Sequence, residues 1–336
     1  MADGAAGLGS SVVFSTLREL QRSAEAFAVL VAAQDAGLPR LLTSPTTSEA
    51  LRARLGVPLS RIDAVLEFLE SYGVVQRRDD LWILSSGWEP LVSGRTPWDP
   101  SAFLTMGGVR LHHIERCLDQ SADYWTLGTT DRLAVATGIS PNPEHAAQML
   151  RADIGSLEGV VDSLDSGGRV LELGCGVGSR ITGLMLAFPA ATAVGVELAS
   201  DLAEAGCKRA AQLGVGDRVK FVVGDATTYE PDGTFDLVGW SQFFFPEPSR
   251  IPTLKTARRA LRKGGWITAP ALWDGTVLEP GSEANQSLAS NRLMLDLWGA
   301  PLKAAHEVAG EMAGVGFTEV RVQPSVGRWH VHGRQP

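Results

Sequence analysis

Cysteine is scarce. Cys117, Cys175 and Cys207 are the whole complement of a 336-residue chain, so the thiols cannot all pair and no disulfide framework is available. Positive charge is also short: 30 Lys and Arg stand against 38 Asp and Glu, a formal net charge of −8. A chain of that sign is repelled by phosphate backbones and anionic membrane surfaces. Long apolar runs are missing, since the longest helix-like one, Ala26 to Ala33, is bracketed by Glu25 and Gln34 and falls far short of the roughly 20 residues that cross a bilayer. Met1 to Ser10 holds no basic stretch, so no secretory signal is expected. These absences exclude nucleic acid and membrane as default partners and fit a reducing, cytoplasmic setting. No internal repeat or low-complexity tract is present.

What the chain does contain is globular material. Apolar residues make up 44% and charged residues 20%, with 37 Gly and 18 Pro spread along the length, enough for about two domains at roughly 150 residues each. Three segments are expected: 1–100, 101–164 and 165–336.

In the first segment Leu17, Leu20, Ala24, Phe27 and Val31 recur at steps of three and four, one apolar stripe on a long helix. Thr46 with Glu49 is a capping-box pattern opening a helix that ends at Gly56, and Ser60 with Asp63 opens another that ends at Gly73. Val74–Arg77, a polar tip at Arg78–Asp80 and Leu81–Leu84 make a β-hairpin. Helix, helix, helix, hairpin is the layout of a winged helix. The helix that would enter a DNA groove carries Asp63, Glu67 and Glu70 against a lone Arg61, which opposes phosphate contact and favours a dimerisation module.

The second segment is helical and connective. Ala147, Leu150, Ile154, Leu157, Val161 and Leu164 alternate three and four apart after Pro143, one stripe on one helix. His112, His113, Tyr124, Trp125, His145 and Met149 line a substrate cavity or fill a core.

The third segment alternates strands and helices. Strands are expected at Arg169–Leu173, Ala193–Val196, Val219–Val223, Phe235–Gly239 and Trp266–Ala269, which implies an α/β fold with a parallel, doubly wound sheet. Leu288 and Leu295, then Val308 and Met312, suggest two later helices; Val320, Val322, Trp329 and Val331 suggest two closing strands. His330 and His332 share one strand face, but no third ligand with metal-site spacing accompanies them, so no metal is expected.

Between the first strand and its helix runs Gly174-Cys175-Gly176-Val177-Gly178. The dinucleotide fingerprint needs a third glycine where Ser179 stands, and no Lys-Ser or Lys-Thr follows for a phosphate loop. Instead Glu172 precedes the three glycines, Glu197 ends the second strand, and Gly224-Asp225-Ala226 follows the third. This ordered set resembles the class I S-adenosylmethionine-dependent methyltransferases over Arg169 to Ala269. With the acidic winged-helix module in front, the whole chain resembles the small-molecule O-methyltransferases of phenolic and polyketide metabolism.

The resemblance implies a Rossmann-like, mostly parallel seven-stranded sheet, homodimerisation through the first segment, and S-adenosylmethionine turned over to S-adenosylhomocysteine. It implies a cofactor site of Glu172, Gly174, Cys175, Gly176, Gly178, Glu197, Leu198, Gly224, Asp225, Ala226, Ser241 and Gln242. Glycines let the backbone approach the methionine portion, and a carboxylate at Glu197 can accept from both ribose hydroxyls. Glu172 orders the loop or reaches the cofactor amino group; Asp225 and Ala226 lie beside the adenine. Cys175 reads as a small loop residue rather than a nucleophile.

For the acceptor, Phe243, Phe244, Phe245, Trp273, Met294 and Trp298 form an apolar pocket or a core, with His145 and Met149 contributing from the connector. Many relatives place a general-base histidine after the fourth strand, whereas this chain reads Trp240-Ser241-Gln242-Phe243-Phe244-Phe245-Pro246. Three alternatives stay open. His112, His113 or His145 supplies the base; the acceptor arrives ionised or reacts through carbon or nitrogen; or the fold binds the cofactor for cyclisation, hydroxylation or decarboxylation. A metabolite-sensing winged-helix regulator is the rival outside enzymology.

Overall fold

The computed structural model describes residues 3–94, 96–119, 123–325 and 327–336, with side chains from residue 12 onward. The chain divides into two compact units, Met1–Val109 and Arg110–Pro336.

The first unit holds α1 (Asp3–Asp35), α2 (Leu38–Leu41), α3 (Ser48–Leu55), α4 (Leu59–Ser71), the hairpin β1 (Val75–Arg78) and β2 (Leu81–Leu84), and α5 (Pro90–Ser93), with α6 (Pro100–Ile114) beginning in it. Leu42, Leu51, Leu66, Leu69, Val74 and Trp82 form its core. The expected helices and hairpin are present, with two corrections at the caps. Thr47, not Thr46, caps α3 by accepting from the Ala50 N–H at 3.2 Å, because Thr46 is engaged in a backbone bridge to Trp82. Helix α4 starts one residue before Ser60, with Pro58 at the N-cap and no side-chain cap; proline fixes φ there and gives up no helical donor. Val12, Val13, Phe14, Leu17 and Leu20 of α1 are all more than half exposed.

The second unit continues with α7 (Thr129–Gly138), α8 (Pro143–Ile154) and α9 (Val160–Asp165). The single stripe expected from Ala147 to Leu164 is therefore split. Gly155 caps the first helix, and Gly159, at φ 72°, starts the second; the apolar spacing survives the break because Ile154, Leu157, Val160 and Leu164 all enter one core.

The remainder runs β3 (Arg169–Leu173), α10 (Ser179–Ala187), β4 (Thr192–Glu197), α11 (Ser200–Gln212), β5 (Val219–Val223), β6 (Phe235–Trp240), α12 (Glu247–Ala260), β7 (Leu261–Ala271), α13 (Glu283–Leu297), α14 (Ala305–Val315), β8 (Thr318–Ser325) and β9 (Arg328–Arg334). Seven strands form one sheet in the order β5-β4-β3-β6-β7-β9-β8. All neighbours are parallel except β9, which runs antiparallel to β7 and β8. Helices α12 and α14 cover one face through Leu254, Ala257, Val308 and Met312. Helices α8, α9 and α10 cover the other through Ile154, Leu164, Ile181 and Leu184. The winding reverses between β3 and its neighbour β6, so the loops after β3 and β6 diverge there and open a crevice at the strands' carboxyl ends. No helix among the described residues is long and apolar enough to cross a membrane.

Candidate functional site

The loop after β3 is shaped by three glycines in the left-handed region, Gly174 at φ 72°, Gly176 at 52° and Gly178 at 70°. Its start is tied to β4, since the Gly174 and Cys175 N–H groups both donate to the Val196 carbonyl, at 2.9 and 3.1 Å. A Cβ on Gly174 would meet the Phe245 ring at 2.7 Å, whereas one on Gly176 would meet nothing within 4 Å. The middle of the loop thus faces open space, and its backbone is what a ligand there would touch.

Glu197, at the end of β4, is 8% exposed. Its Oε2 accepts from the Gly176 N–H at 2.7 Å and its Oε1 from the Ala199 N–H at 3.0 Å. Burial raises its pKa, and the N–H groups of Ala199, Gly176 and Leu198 oppose that rise. Each oxygen has a second lone pair for a hydroxyl donor. Next to it, Leu198 is 54% exposed, and the Gly224 N–H after β5 donates to the Glu197 carbonyl at 2.9 Å. Ala226 is buried, while Asp225 is exposed and accepts from its own turn at Thr227 N, 2.8 Å.

Glu172, in β3, is 1% exposed. Burial pushes its titration up to about 7, against the pull of Arg180, the Ser241 hydroxyl and the Ile181 N–H. Ser241 follows β6 and donates to Glu172 Oε1 at 3.5 Å. Cys175 is buried against Gly195, where a Cβ would come within 2.8 Å of its Sγ. Burial first, then the Glu197 and Glu172 carboxylates, raises the thiol well above its free value.

Gln242 is fully buried and committed elsewhere. Its Nε2 donates to the Pro270 carbonyl at 3.1 Å, and its Oε1 accepts from Arg250 Nη1 at 2.8 Å. Arg250 in turn holds Glu311 through two bonds of 2.8 and 2.7 Å.

Of the aromatic candidates, Phe244 stacks on Trp298 with centroids 5.3 Å apart, and Tyr124 contacts both rings at 5.3 and 6.1 Å. Burial, then Glu197, raises the Tyr124 phenol, with Arg132 pulling the other way. Phe245 packs on Trp240 instead, and Phe243 is half-buried. Met294 is 2% exposed, Met149 is half-buried, and Trp273 bonds its own loop at the Thr276 carbonyl.

The three histidines considered as alternative bases occupy separate environments. His112 is exposed beside Glu115, His113 is buried with Nε2 3.5 Å from the Leu297 carbonyl, and His145 is exposed on the first turn of α8. Sequence reasoning missed Arg180 and left Tyr124 undecided; an aromatic after an Asp cap was the only trace of the latter. On β9, His330 Nδ1 lies 3.4 Å from Asp153, and burial holds both His330 and His332 down at about 3.

Comparison with known proteins agrees with this architecture. Residues 170–265 match the family described as "Methyltransferase domain". Over 116 residues the chain is 42% identical to a rice protein (Oryza sativa subsp. japonica), "Probable tocopherol O-methyltransferase, chloroplastic". That match takes in 34% of this chain and 32% of the rice protein, so the similarity spans about a third of the curated relative's length. Among solved structures, an O-methyltransferase family protein from Burkholderia thailandensis superposes with a TM-score of 0.72 at 17% identity, covering 96% of this chain and 98% of that one. Mitomycin 7-O-methyltransferase gives 0.74 at 16%, covering 98% and 100%. Human N-acetylserotonin methyltransferase, in complex with SAM, gives 0.69 at 14%, covering 96% and 97%. The chain thus shares the fold of these solved methyltransferases, and residues 170–265 of its second unit are what the methyltransferase-domain family matches.

Proposed function

We propose that this chain binds S-adenosylmethionine and transfers its methyl group to a small aromatic or polyketide-like acceptor. The observation that carries the reading is the Glu197 carboxylate, held by two backbone N–H groups against a glycine loop that opens into free space. Gly174 to Gly178 cradle the methionine portion, Glu197 takes the ribose hydroxyls, and Asp225 and Ala226 border the adenine. Ser241 faces the reacting end; Gln242 instead braces it from behind through Arg250.

The bound cofactor supplies a methyl group on a cationic sulfur, a displacement that alignment and exclusion of water can drive. Tyr124, Phe244 and Trp298 provide the flat apolar wall that would orient a planar acceptor. Segment 1–100 serves as a dimerisation domain through the exposed apolar half of α1, and 101–164 contributes to the acceptor pocket.

The test is incubation with methyl-labelled S-adenosylmethionine and a panel of phenols and hydroxylated polyketides. S-adenosylhomocysteine formed in equal amount with a labelled product supports the reading. A second reading, cofactor binding without methyl transfer, draws on the absence of histidine from Trp240 to Pro246 and the separation of His112, His113 and His145. Cofactor binding with acceptor conversion but no S-adenosylhomocysteine would favour it.

A further inference from the structure

Two buried carboxylates flank the glycine loop, and the structure treats them differently. Glu197 has a backbone donor on each oxygen. Glu172 has the Ser241 hydroxyl at 3.5 Å on Oε1 and the pull of the Ile181 N–H, and its buried Oε2 has no hydrogen-bond partner within 3.5 Å among the described residues. The groups facing it are Arg180 and the Ile181 N–H from α10, Ser241 after β6, and Glu197 from β4. Cys175 also lies in its field.

Arg180 does not neutralise it by contact. No ion pair within 4.0 Å joins the two among the described residues, and Arg180 Nη1 rests against Gly239, itself buried and unpartnered. Further along the same cross-strand row, Glu172–Gly239–Thr268–His332, the imidazole of His332 is fully buried with neither nitrogen bonded. A carboxylate so poorly supplied with donors is drawn toward its neutral form, in keeping with titration near 7.

We infer that Glu172 compensates the cofactor's charge: it gains and loses its proton readily near neutral pH in the free protein and beside the thioether product, and is ionised while the sulfonium is bound. This rests on the cofactor reading above. Transfer to an X–H acceptor breaks the S–CH3 bond with its electron pair left on sulfur, forms X–CH3 from the acceptor's lone pair, and frees one proton. One positive charge thus disappears from sulfur as one proton needs a base. Glu172 takes up that proton through the Ser241 hydroxyl, which gives its own proton to Oε1 and receives the acceptor's. The net charge of the pocket is then the same before and after, with no histidine required.

The full chain is titrated calorimetrically at pH 7 with S-adenosylmethionine and, separately, S-adenosylhomocysteine, in two buffers of different ionisation enthalpy. The sulfonium ligand should release about half a proton more than the thioether, since a group titrating near 7 is half protonated there, and Glu172→Gln should abolish the difference. Equal proton counts in the unsubstituted chain overturn the inference, as does a difference that survives in Glu172→Gln, which would place the proton on the ligand's own amine. Should that variant not fold, the affinity ratio of the two ligands from pH 5.5 to 8.5 decides: it rises up to about pH 7 and levels off if Glu172 carries the proton, and a flat ratio contradicts this. Failure of both ligands to bind would defeat the cofactor reading itself.

Discussion

The Glu197 carboxylate reaches across from β4 to hold the Gly176 N–H at 2.7 Å. This bond fixes the glycine loop and the Glu197 carboxylate as one unit, so the loop is preorganised rather than shaped by a ligand. Preorganisation lowers the ordering cost of binding, and the loop's left-handed residues make it dependent on glycine.

Gly178 shows that dependence at one position. It sits at φ 70°, and a Cβ would come within 2.6 Å of the Phe221 ring. Gly178→Ala should lower stability by about 1–3 kcal/mol from backbone strain and displacement of the ring. Gly310, inside α14 with nothing within 4 Å of its Cβ position, should gain up to about 1 kcal/mol as alanine. Urea midpoints moving in opposite directions would bear this out.

Arg250 is fully buried and depends on Glu311, which is 14% exposed. Removing the acid leaves a buried guanidinium with only Gln242 and the Trp240 ring for company. Glu311→Ala should therefore cost about 3–5 kcal/mol, read as a fall in denaturant midpoint, with Glu311→Gln losing less.

Much of this arrangement was legible in the sequence. Four of the five expected parallel strands stood out as short apolar runs ended by Gly or an acid, and Glu172, the glycines and Glu197 fell at or beside the ends of two of them. Thr47 was missed because Thr46 and Thr47 offer the same hydroxyl, and only pairing with Trp82 separates them. The α8–α9 break was hidden because a turn through Gly155 to Gly159 keeps the apolar spacing. Gln242 looked available until Arg250, eight residues on, was seen to claim it. Partnerships of that kind are set by tertiary packing and leave no local pattern.

Acid and base should act oppositely on stability. Glu172 titrates near 7 when folded against an ordinary 4.5, so the unfolded chain binds fewer protons between those values and stability falls as pH rises through that window. Glu172→Gln should be no more favourable than the unsubstituted protein's behaviour at pH 4.5 but gain on it by up to about 3 kcal/mol by pH 8. His330 and His332 titrate near 3 when folded against 6.5, so their contribution to stability falls as pH drops below about 6.5 and opposes that of Glu172 where the two windows overlap. Melting temperatures across pH 4 to 8 for both proteins check this; a constant offset between them would contradict it.

The exposed apolar half of α1 should be covered by a second copy of the chain. Leu17→Glu with Leu20→Glu places charge on two side chains that are 54% and 63% exposed, so each subunit should fold unaided. Light scattering at micromolar concentration should show a dimer for the unsubstituted chain and a monomer for the double variant. A monomer from the outset would contradict the expectation.

The glycine loop and Glu197 together should bind S-adenosylmethionine. Calorimetric titration of the purified, cofactor-free chain with S-adenosylmethionine and S-adenosylhomocysteine tests it most directly, with Glu197→Ala as control. Both ligands should bind at micromolar concentration, weakened at least about 30-fold in Glu197→Ala, as expected for loss of charge-assisted hydrogen bonds worth about 2–3 kcal/mol. Absence of binding by folded protein, or equal binding by the variant, would contradict it.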